Sequence, residues 1–314
     1  MKIFFTSDVH GSERTYLKFL NAGKFYKADV QIVGGDITGK VMIPIFVEDD
    51  GTFKVHFLGA DYVFKEEKQV IDIEKKIRDN GFYSFREKPD EIMKINSSQE
   101  KKDALFEKLM SERLRSWLQI ADQRLADRKV ACYIMPGNDD AKSVDAVFEE
   151  SKSVVNPEGK VVQIGEGFEM ISSGYSNMTP WNCPRDIPED QMAANLEAMT
   201  SQVKDMSRCI FNLHCPPYGT NIDQAPKLDA NQQPQLGPSG TVMESVGSTA
   251  VAESIKKHQP LLGLHGHIHE SRGICRIGRT ICVNPGSEYG EGILRGAIIS
   301  LKDDRVQSYS FTSG

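Results

Sequence analysis

The sequence predicts an α/β protein with functional residues at the ends of its strands. Two observations support this prediction. First, the runs Ile3 to Thr6 and Asp29 to Val33 have the composition of buried strands, and a helix-like segment starting at Ser12 separates them. Strand, helix and strand at this spacing form a βαβ unit, which makes the two strands parallel. Second, several later strand-like runs also end in loops that carry His, Asp or Asn.

Length and composition indicate a globular protein of ordinary kind. The chain has 314 residues, a net charge of −6, and apolar and charged fractions of 39% and 26%. This length is compatible with one large domain and a substantial core. Binding to the nucleic-acid backbone requires a basic surface, so the acidic balance argues against nucleic acid as a partner.

The cysteines and the apolar runs bear on the compartment. Six cysteines include no CxxC pair, and several stand in apolar runs, as buried thiols do. The N-terminal segment turns polar too early for a signal peptide, and no run of 18 apolar residues is present. We therefore expect a cytoplasmic protein with reduced cysteines and no membrane contact. The sequence leaves open whether it forms a homo-oligomer.

The first half of the chain contains a change of pattern. Ser12 is the expected N-cap of a helix that runs to about Ala22 and is closed by Gly23. From 41 to 128 the pattern becomes a hairpin followed by charged segments with helical spacing. We interpret 41–128 as an insertion, with a small core of its own, into a single domain of residues 1–314. It would be a cap over an active site, a dimer surface or a solvated helical elaboration.

After the insertion, the strand pattern returns. Strands are expected at 129–135, 161–164, 168–172, 209–213, 274–277, 280–283, 297–301 and 305–311. Helices are expected at 191–206 and 248–258. The segment 218–247, rich in Pro, Gln, Asn and Gly, is long enough for a functional or mobile loop.

The stretch 261–269 is an apolar run that ends with three histidines in five residues. Neutral imidazole is the commonest side-chain metal ligand. Side chains two apart in an extended segment point the same way, so His267 and His269 can reach one metal or two adjacent metals. Taken alone, this stretch is equally compatible with a surface loop that is rich in histidine. His265 is expected to be a loop histidine with a backbone partner.

Five strand-like runs end in loops with metal-ligand chemistry. In open α/β sheets, the loops at the carboxyl ends of the strands lie along one edge and form the site. The candidate ligands in these loops are Asp8, His10, Asp36, Asn138, His214, His267 and His269. Carboxylates and imidazoles bind ions such as Mn²⁺, Fe²⁺ or Zn²⁺, and two such ions can clamp the oxygens of a phosphoryl displacement. We therefore expect these residues to converge on a metal centre.

This set resembles the motifs of the calcineurin-like metallophosphoesterases, which are DxH, GDxxD, GNH(E/D), a lone His and GHxH. The corresponding segments here, in the same order, are 8–10, 35–39, 137–140, His214 and 266–269. The segment Asn-Pro-Gly-Ser at 284–287 is similar to the small bacterial and archaeal branch of that family, and is also a plain turn signal. The resemblance implies a four-layer αββα sandwich of two mixed sheets, with the site at the strand ends.

The resemblance also implies a role for each ligand and a chemistry. Asp8, His10 and His269 would hold one divalent ion, Asp36 would bridge, and Asn138 (through its side-chain oxygen), His214 and His267 would hold a second ion. Ligand softness leaves Mn, Fe, Zn, Ni and Co open as the metals. In-line attack on phosphorus by a metal-bridging hydroxide would make the protein a phosphoester hydrolase that acts on a small substrate.

Two positions depart from the family pattern. The second Asp of GDxxD is Gly39, which leaves the ligands intact. The His of GNH(E/D), which stabilises the transition state or protonates the leaving group in the family, is Asp139 here. Asp139 could be a catalytic acid only with a raised pKa; otherwise it is structural. We therefore expect a phosphodiesterase or a hydrolase of activated esters.

Three aromatic loop residues and two alternative functions are also compatible with the sequence. Tyr175, Trp181 and Tyr218 lie in loops near the ligand-bearing strand ends, and Tyr218 is our candidate substrate-binding residue. A catalytically weak or inactive scaffold for protein interaction on the same fold, and a nuclease of the same superfamily, are the alternatives. Intact ligand positions argue against the scaffold, and the acidic balance argues against the nuclease.

Overall fold

The first strand, Lys2–Thr6, shows how the sequence sets the layers of the fold. The computed structural model describes residues 1–126, 129–165, 167–238, 240–302 and 304–314. Ile3 and Phe5 belong to one apolar cluster and Phe4 to another, and all three are fully buried. Successive side chains of a strand point to opposite faces, so a strand that is apolar throughout needs cover on both sides. The sheet that contains it is therefore an inner layer.

Two six-stranded mixed sheets form the two inner layers. In spatial order, the first consists of Arg305–Ser313, Arg295–Lys302, Lys2–Thr6, Val30–Gly34, Ala131–Met135 and Val154–Val155. The second consists of Gly273–Ile277, Thr280–Asn284, Leu262–Leu264, Cys209–Leu213, Phe168–Ser173 and Val161–Ile164. In each sheet, four adjacent strands pair in parallel. The remaining two pairings are antiparallel: in the first sheet both lie at one edge, and in the second sheet one lies at each edge.

Helices cover the outer face of each sheet. Glu13–Tyr26, Gln99–Leu125 and Asp145–Phe148 share an apolar cluster with the first sheet, and Glu189–Thr200 and Thr249–His258 share one with the second. A third cluster fills the space between the sheets. The four-layer αββα sandwich implied by the resemblance is therefore confirmed. None of the described helices has the length and apolar content needed to cross a bilayer.

Smaller elements complete the chain. They are the 3₁₀ turns Lys142–Val144, Met206–Arg208 and Tyr289–Glu291, and the strand pairs Ser176–Asn177 with Asp186–Ile187, Gln224–Pro226 with Met243–Ser245, and Leu236–Gly237 with Gly240–Thr241. The last two pairs lie in the predicted loop 218–247, which is thus partly folded. The helix predicted over 191–206 ends at Thr200. All six cysteines are free in the structure.

The first helix confirms its predicted start but not its end. The Ser12 hydroxyl accepts a hydrogen bond from the Thr15 amide, as an N-cap does. The helix continues through Gly23 to Tyr26, whose ring stacks on Phe4 with centroids 5.4 Å apart. Stacking against the sheet therefore outweighs the low helix propensity of glycine.

The insertion is larger in β-structure than the sequence predicts. It occupies 41–126, and its expected end at 127–128 lies outside the described residues. Its elements are the sheet of Met42–Val47, Phe53–Phe57, Ala60–Phe64 and Tyr83–Glu87, and the helices Glu67–Asp79, Pro89–Asn96 and Gln99–Leu125. The strand Tyr83–Glu87 pairs in parallel with Met42–Val47. Parallel pairing needs a long connection, so the turn signals of a hairpin do not reveal it.

The longest helix, Gln99–Leu125, belongs to the main core. Its buried Trp117 stacks on Tyr16 with ring centroids 4.2 Å apart, and the Tyr16 hydroxyl donates to the Trp117 carbonyl oxygen at 2.8 Å. A separate apolar cluster joins only the insertion sheet and the helix Glu67–Asp79. The expectation that the insertion has its own small core is therefore wrong for its longest helix.

We predict that Trp117→Ala lowers the free energy of unfolding by about 3–5 kcal/mol, because it removes a fully buried aromatic side chain. Trp181→Ala is the matched control: its indole is 63% exposed, and the expected change is within about 0.5 kcal/mol. Urea denaturation followed by circular dichroism measures both. Equal, small losses in the two variants would show that the insertion helix does not stabilise the main core.

Candidate metal centre

The seven predicted ligands lie at the carboxyl ends of parallel strands. Asp8 and His10 follow Lys2–Thr6, Asp36 follows Val30–Gly34, Asn138 follows Ala131–Met135, His214 follows Cys209–Leu213, and His267 and His269 follow Leu262–Leu264. Three of these strands are in the first sheet and two are in the second. The site therefore lies where both sheets end on the same edge of the sandwich, as the argument from strand ends predicts.

Asp8, His10 and His269 form the first ligand group. One ligand atom of each lies within 4.8 Å of the others. Nε2 of His10 is 3.1 Å from Nε2 of His269, which is 3.3 Å from Oδ1 of Asp8. Two ring nitrogens with lone pairs facing each other repel, so this approach requires a proton or a cation between them. The group is suited to a positive ion.

Asp36, His214 and His267 form the second ligand group. Their ligand atoms also lie within 4.8 Å of one another. Nε2 of His214 is 3.3 Å from Oδ2 of Asp36. Nδ1 of His214 donates to the carbonyl oxygen of Gly34 at 2.8 Å, which orients the ring and turns Nε2 toward the group.

Asn138 turns its amide oxygen toward the second group. Its Oδ1 is 3.2 Å from Nε2 of His214, and its Nδ2 donates to Asp186 at 3.0 Å. Asp186 in turn accepts hydrogen bonds from the amides of Thr179 and Cys183. Sequence analysis missed Asp186 because it belongs to no motif.

Asp36 lies between the two groups. Its Oδ2 is 3.5 Å from Nε2 of His10 and 3.3 Å from Nε2 of His214. Its other oxygen accepts the amide of Asp139 at 3.0 Å. One carboxylate oxygen thus faces a histidine of each group, which is the geometry that a bridging ligand requires.

Buried charges shift the pKa values of several ligands. Burial favours neutral Asp8, but His269 and His214 lower its pKa well below the usual range. Burial disfavours charged His214, but Asp36 and Asp8 raise its pKa to about 10. Burial lowers the pKa of His267 to about 3. The buried carboxylates thus draw positive charge into the site, and bound cations satisfy the same demand.

The backbone at the site is strained. Four candidate ligands have positive φ: Asp8 at 57°, His10 at 42°, Asp36 at 51° and His267 at 66°. Residues other than glycine rarely adopt this region, and it persists only where the surrounding structure imposes it. Such outliers cluster at functional sites, so their concentration here supports a functional role.

Two motif glycines allow the close approach of the ligand loops. Gly35 has a φ of 115°, and a Cβ on it would collide with the ring of His214. A Cβ on Gly266 would collide with Ser7 and with the carboxylate of Asp8. A larger residue at either position would displace a candidate ligand.

Asp140 joins two ligand loops. Its fully buried carboxylate accepts hydrogen bonds from the amides of Ile37, Thr38 and Gly137 at 3.0, 2.8 and 2.6 Å, and from the Thr38 hydroxyl at 2.5 Å. Two of these amides belong to the loop of Asp36 and one to the loop of Asn138. Asp140 therefore fixes the distance between these loops.

The insertion supports the ligand loops from behind. The amide of Gly39 donates to the Tyr83 hydroxyl at 2.8 Å, and the Arg113 guanidinium donates to the carbonyl oxygen of Gly11 at 3.3 Å. The Ser12 hydroxyl donates to the Asp79 carbonyl oxygen at 2.7 Å. These contacts lie at the loops that follow the first two ligand-bearing strands.

A groove of about 950 Å³ opens beside the ligand groups. One wall includes Met178 and Trp181, which are 50% and 63% exposed, and the other is formed by residues between 225 and 246. Among the described residues, none that lines the groove comes from 41–126, so the insertion does not cap it. Tyr218 lies outside this lining, and its part in substrate binding stays a prediction.

Asp139 is paired rather than protonated. Its Oδ2 forms an ion pair with the ammonium of Lys40, and the Cys183 thiol donates to Oδ1 at 2.9 Å. Burial favours the neutral acid, but Lys40 and Cys183 lower the pKa of Asp139 to about 2. Burial disfavours the ammonium, but Asp139 and Asp36 raise the pKa of Lys40 to about 12. The raised pKa that a catalytic acid would need is therefore not what the structure shows.

Lys40 is the functional candidate that sequence analysis missed. It lines the groove together with Asp36, Asp139 and the ligand histidines His267 and His269. The sequence carried a signal for this residue, because Lys40 directly follows Gly39, which is one of the two departures from the family pattern. In the structure, Lys40 pairs with Asp139, which is the second departure.

His265 has backbone partners, as expected. Its Nδ1 lies 2.8 Å from the carbonyl oxygen of Leu213 and 3.1 Å from that of Cys215. Burial lowers its pKa to about 4, so the ring is neutral. It packs beneath the ligand loop and is not part of either ligand group.

Comparisons with known proteins place the chain within a known fold. No family model matches it. The uncharacterized protein MJ1162 of Methanocaldococcus jannaschii is 33% identical over 153 residues, which are 48% of this chain and 62% of that protein. The chain thus covers less than two thirds of that relative.

Solved structures of other proteins are similar to this chain over nearly its whole length. The protein TT1561 of Thermus thermophilus has a TM-score of 0.53 at 15% identity, covering 100% of this chain and 97% of that one. A novel archaeal phosphodiesterase has a TM-score of 0.36 at 10% identity, and the match covers 100% of this chain and 99% of that one. Phosphoesterases are thus among the structural neighbours. The likeness to TT1561 establishes the fold alone.

We predict that Asp140→Asn lowers the free energy of unfolding of the metal-free protein by about 2–4 kcal/mol, because an amide cannot accept all four hydrogen bonds. It should also lower the metal content per chain, measured by plasma mass spectrometry. The matched control is Asp90→Asn, since that carboxylate is 61% exposed. Unchanged stability and metal content in Asp140→Asn would show that the two loops keep their spacing without it.

Proposed function

We propose that this chain is a calcineurin-like metallophosphoesterase that hydrolyses phosphodiesters with two divalent ions. The observation that carries the proposal is the convergence of seven side chains, from five strand ends in two sheets, on two ligand groups that meet at Asp36. Residues so far apart in the chain have no structural need to meet in this way. A shared metal centre accounts for all of them.

The side chains fit a pair of divalent ions. Carboxylate, amide and imidazole donors suit ions of intermediate softness, and Mn, Fe, Zn, Ni and Co are all compatible with the set. Bound there, such ions supply an activated water at neutral pH and positive charge at the phosphoryl group. The close approach of His10 to His269 and the raised pKa of His214 are features expected of a site built to hold cations.

Hydrogen bonds within the chain hold the candidate ligands in place. The backbone amide of His267 donates to both carboxylate oxygens of Asp8 at 3.1 Å, which joins the two groups across the sheets. Gly34 orients the ring of His214, and Asp140 fixes the loop spacing. Ligands that are already oriented bind metal without a large ordering cost.

The groove indicates the substrate class. Of the described residues that line it, Lys40 is the one lysine or arginine, whereas Asp229, Glu244 and Glu270 are acidic. A substrate with further phosphates would be repelled beyond the metal centre, so we propose an ester with a single phosphate. Trp181 offers an exposed apolar surface for the organic arm of a diester. The acidic lining also argues against the nuclease alternative.

We predict that the wild type binds two divalent ions per chain and hydrolyses bis(p-nitrophenyl) phosphate faster than p-nitrophenyl phosphate. Asp36→Asn should lower metal content and reduce kcat/KM by at least about 1,000-fold, since it weakens the ligand shared by both groups. Asp190→Asn, an exposed change of the same kind, should leave both unchanged.

Steady-state kinetics and metal analysis distinguish the alternatives. A wild type without bound metal would contradict the proposal. Two bound ions without turnover of any diester would support the scaffold alternative.

We predict that Trp181→Ala raises the KM for bis(p-nitrophenyl) phosphate about tenfold with little change in kcat, because an aromatic contact contributes about 1.4 kcal/mol to binding. Trp181→Phe should keep most of the affinity. Leu236→Ala is the control, because Leu236 is 81% exposed in the loop 218–247 but lies outside the groove lining. An unchanged KM in Trp181→Ala would exclude this wall from the substrate site.

A further inference from the structure

The site has a lysine beside the position where the family pattern has a histidine. Asp139 occupies the histidine position, and its carboxylate is held on both sides, by the Cys183 thiol at Oδ1 and by the Lys40 ammonium at Oδ2. Its backbone amide donates to Asp36 at 3.0 Å. The carboxylate is therefore held in place by a partner on each oxygen.

We propose that Lys40, positioned by Asp139, is a catalytic residue whose ammonium contacts the phosphoryl group of the bound ester and stabilises the charge that develops in the transition state. The inference rests on the proposed phosphoesterase function. It assigns Asp139 a positioning role in place of an acid role.

Exposure separates the roles of the two residues. Both line the groove, but the Lys40 side chain is 47% exposed whereas that of Asp139 is 16% exposed. The ammonium is therefore the more accessible of the two to a substrate in the groove. A flexible lysine alone would have many orientations, and a fixed carboxylate partner restricts them.

The Lys40 ammonium lies next to the candidate ligands. Its partner Asp139 places Oδ2 4.0 Å from Nδ1 of His10. His10, Asp36 and Asp139 also have ligand atoms within 4.8 Å of one another. The ammonium is therefore held beside His10 and Asp36, which is where the phosphoryl group of a substrate would lie.

The other departure from the family pattern supports the same arrangement. Gly39 packs against the carbonyl oxygen of Gly81, so a side chain at position 39 would collide with it. The Gly39 amide donates to the Tyr83 hydroxyl at 2.8 Å. The insertion thus fixes the backbone directly before Lys40, at the position where the family pattern has an aspartate.

An ordinary surface ion pair would not account for these features. Such pairs contribute little to stability and need neither a rigid carboxylate nor a position in the groove. A preorganised cation aimed at developing charge, in contrast, accelerates reactions by about 100- to 1,000-fold.

The test uses metal-loaded protein and the variants Lys40→Met, Lys40→Arg and Asp139→Asn. Lys142→Met is the matched control, because Lys142 is exposed and its loss changes the net charge equally. Three quantities are measured: metal content, kcat/KM for bis(p-nitrophenyl) phosphate, and the affinity for inorganic phosphate by calorimetry. The phosphate titration probes Lys40 without turnover.

We expect Lys40→Met to keep two ions per chain, to lose about 100- to 1,000-fold in kcat/KM, and to bind phosphate at least about tenfold more weakly. Lys40→Arg should stay within about tenfold of wild type, since it keeps the charge. Asp139→Asn should reduce kcat/KM in the wild-type background but not in Lys40→Met, because it acts through the lysine.

Three outcomes would overturn the proposal. They are a Lys40→Met variant within twofold of wild type in both kcat/KM and phosphate affinity, loss of bound metal in that variant, and additive effects of Lys40→Met and Asp139→Asn. Failure of the proposed function looks different, because the wild type itself would then bind no metal or hydrolyse no diester.

Discussion

The site depends on two sheets ending at the same level. The apolar cluster between them, which includes Ile3, Phe5, Ile210 and Leu264, fixes their relative position. Hydrogen bonds then cross from one sheet to the other, from the His267 amide to Asp8 and from the His214 ring to the carbonyl oxygen of Gly34. A slip of one strand by a single residue within its sheet would turn its side chains to the opposite face and separate the ligands. Core packing therefore sets the geometry of the metal centre, and it also offsets the strain of the ligands with positive φ.

The convergence of the candidate ligands could be predicted because its signal is local. Each ligand follows an apolar strand by a few residues, and the topology of a parallel sheet brings strand ends together. The roles of Asp140 and Lys40 could not be assigned in this way. Asp140 accepts hydrogen bonds from Ile37 and Thr38, about 100 residues earlier in the chain. Lys40 pairs with Asp139 across a similar separation. Such pairings exist only after the sheets have formed. The extension of the first helix to Tyr26 has a similar origin in tertiary stacking.

The insertion stabilises the site rather than covering it. A cap would contribute residues to the groove, but in the described part of 41–126 the contacts go to the loops of Gly11 and Gly39 from behind. Its longest helix also completes the core on the outer face of the first sheet through Trp117. Removing the insertion would therefore remove one wall of the core as well as the support of two ligand loops. A dimer surface on its exposed face stays a prediction.

The electrostatics of Asp139 require its partner. A histidine at this position can be neutral or positive, whereas an aspartate adds a negative charge next to the proposed site for an anionic ester. Two like charges about 4 Å apart repel by about 4 kcal/mol near a protein surface, which would oppose substrate binding. Lys40 cancels that charge and presents its own positive end to the groove. Asp139 and Lys40 therefore have to be considered as one unit. The carboxylate is compatible with a phosphoesterase site because the ammonium accompanies it. The ammonium has a defined position because the carboxylate holds it.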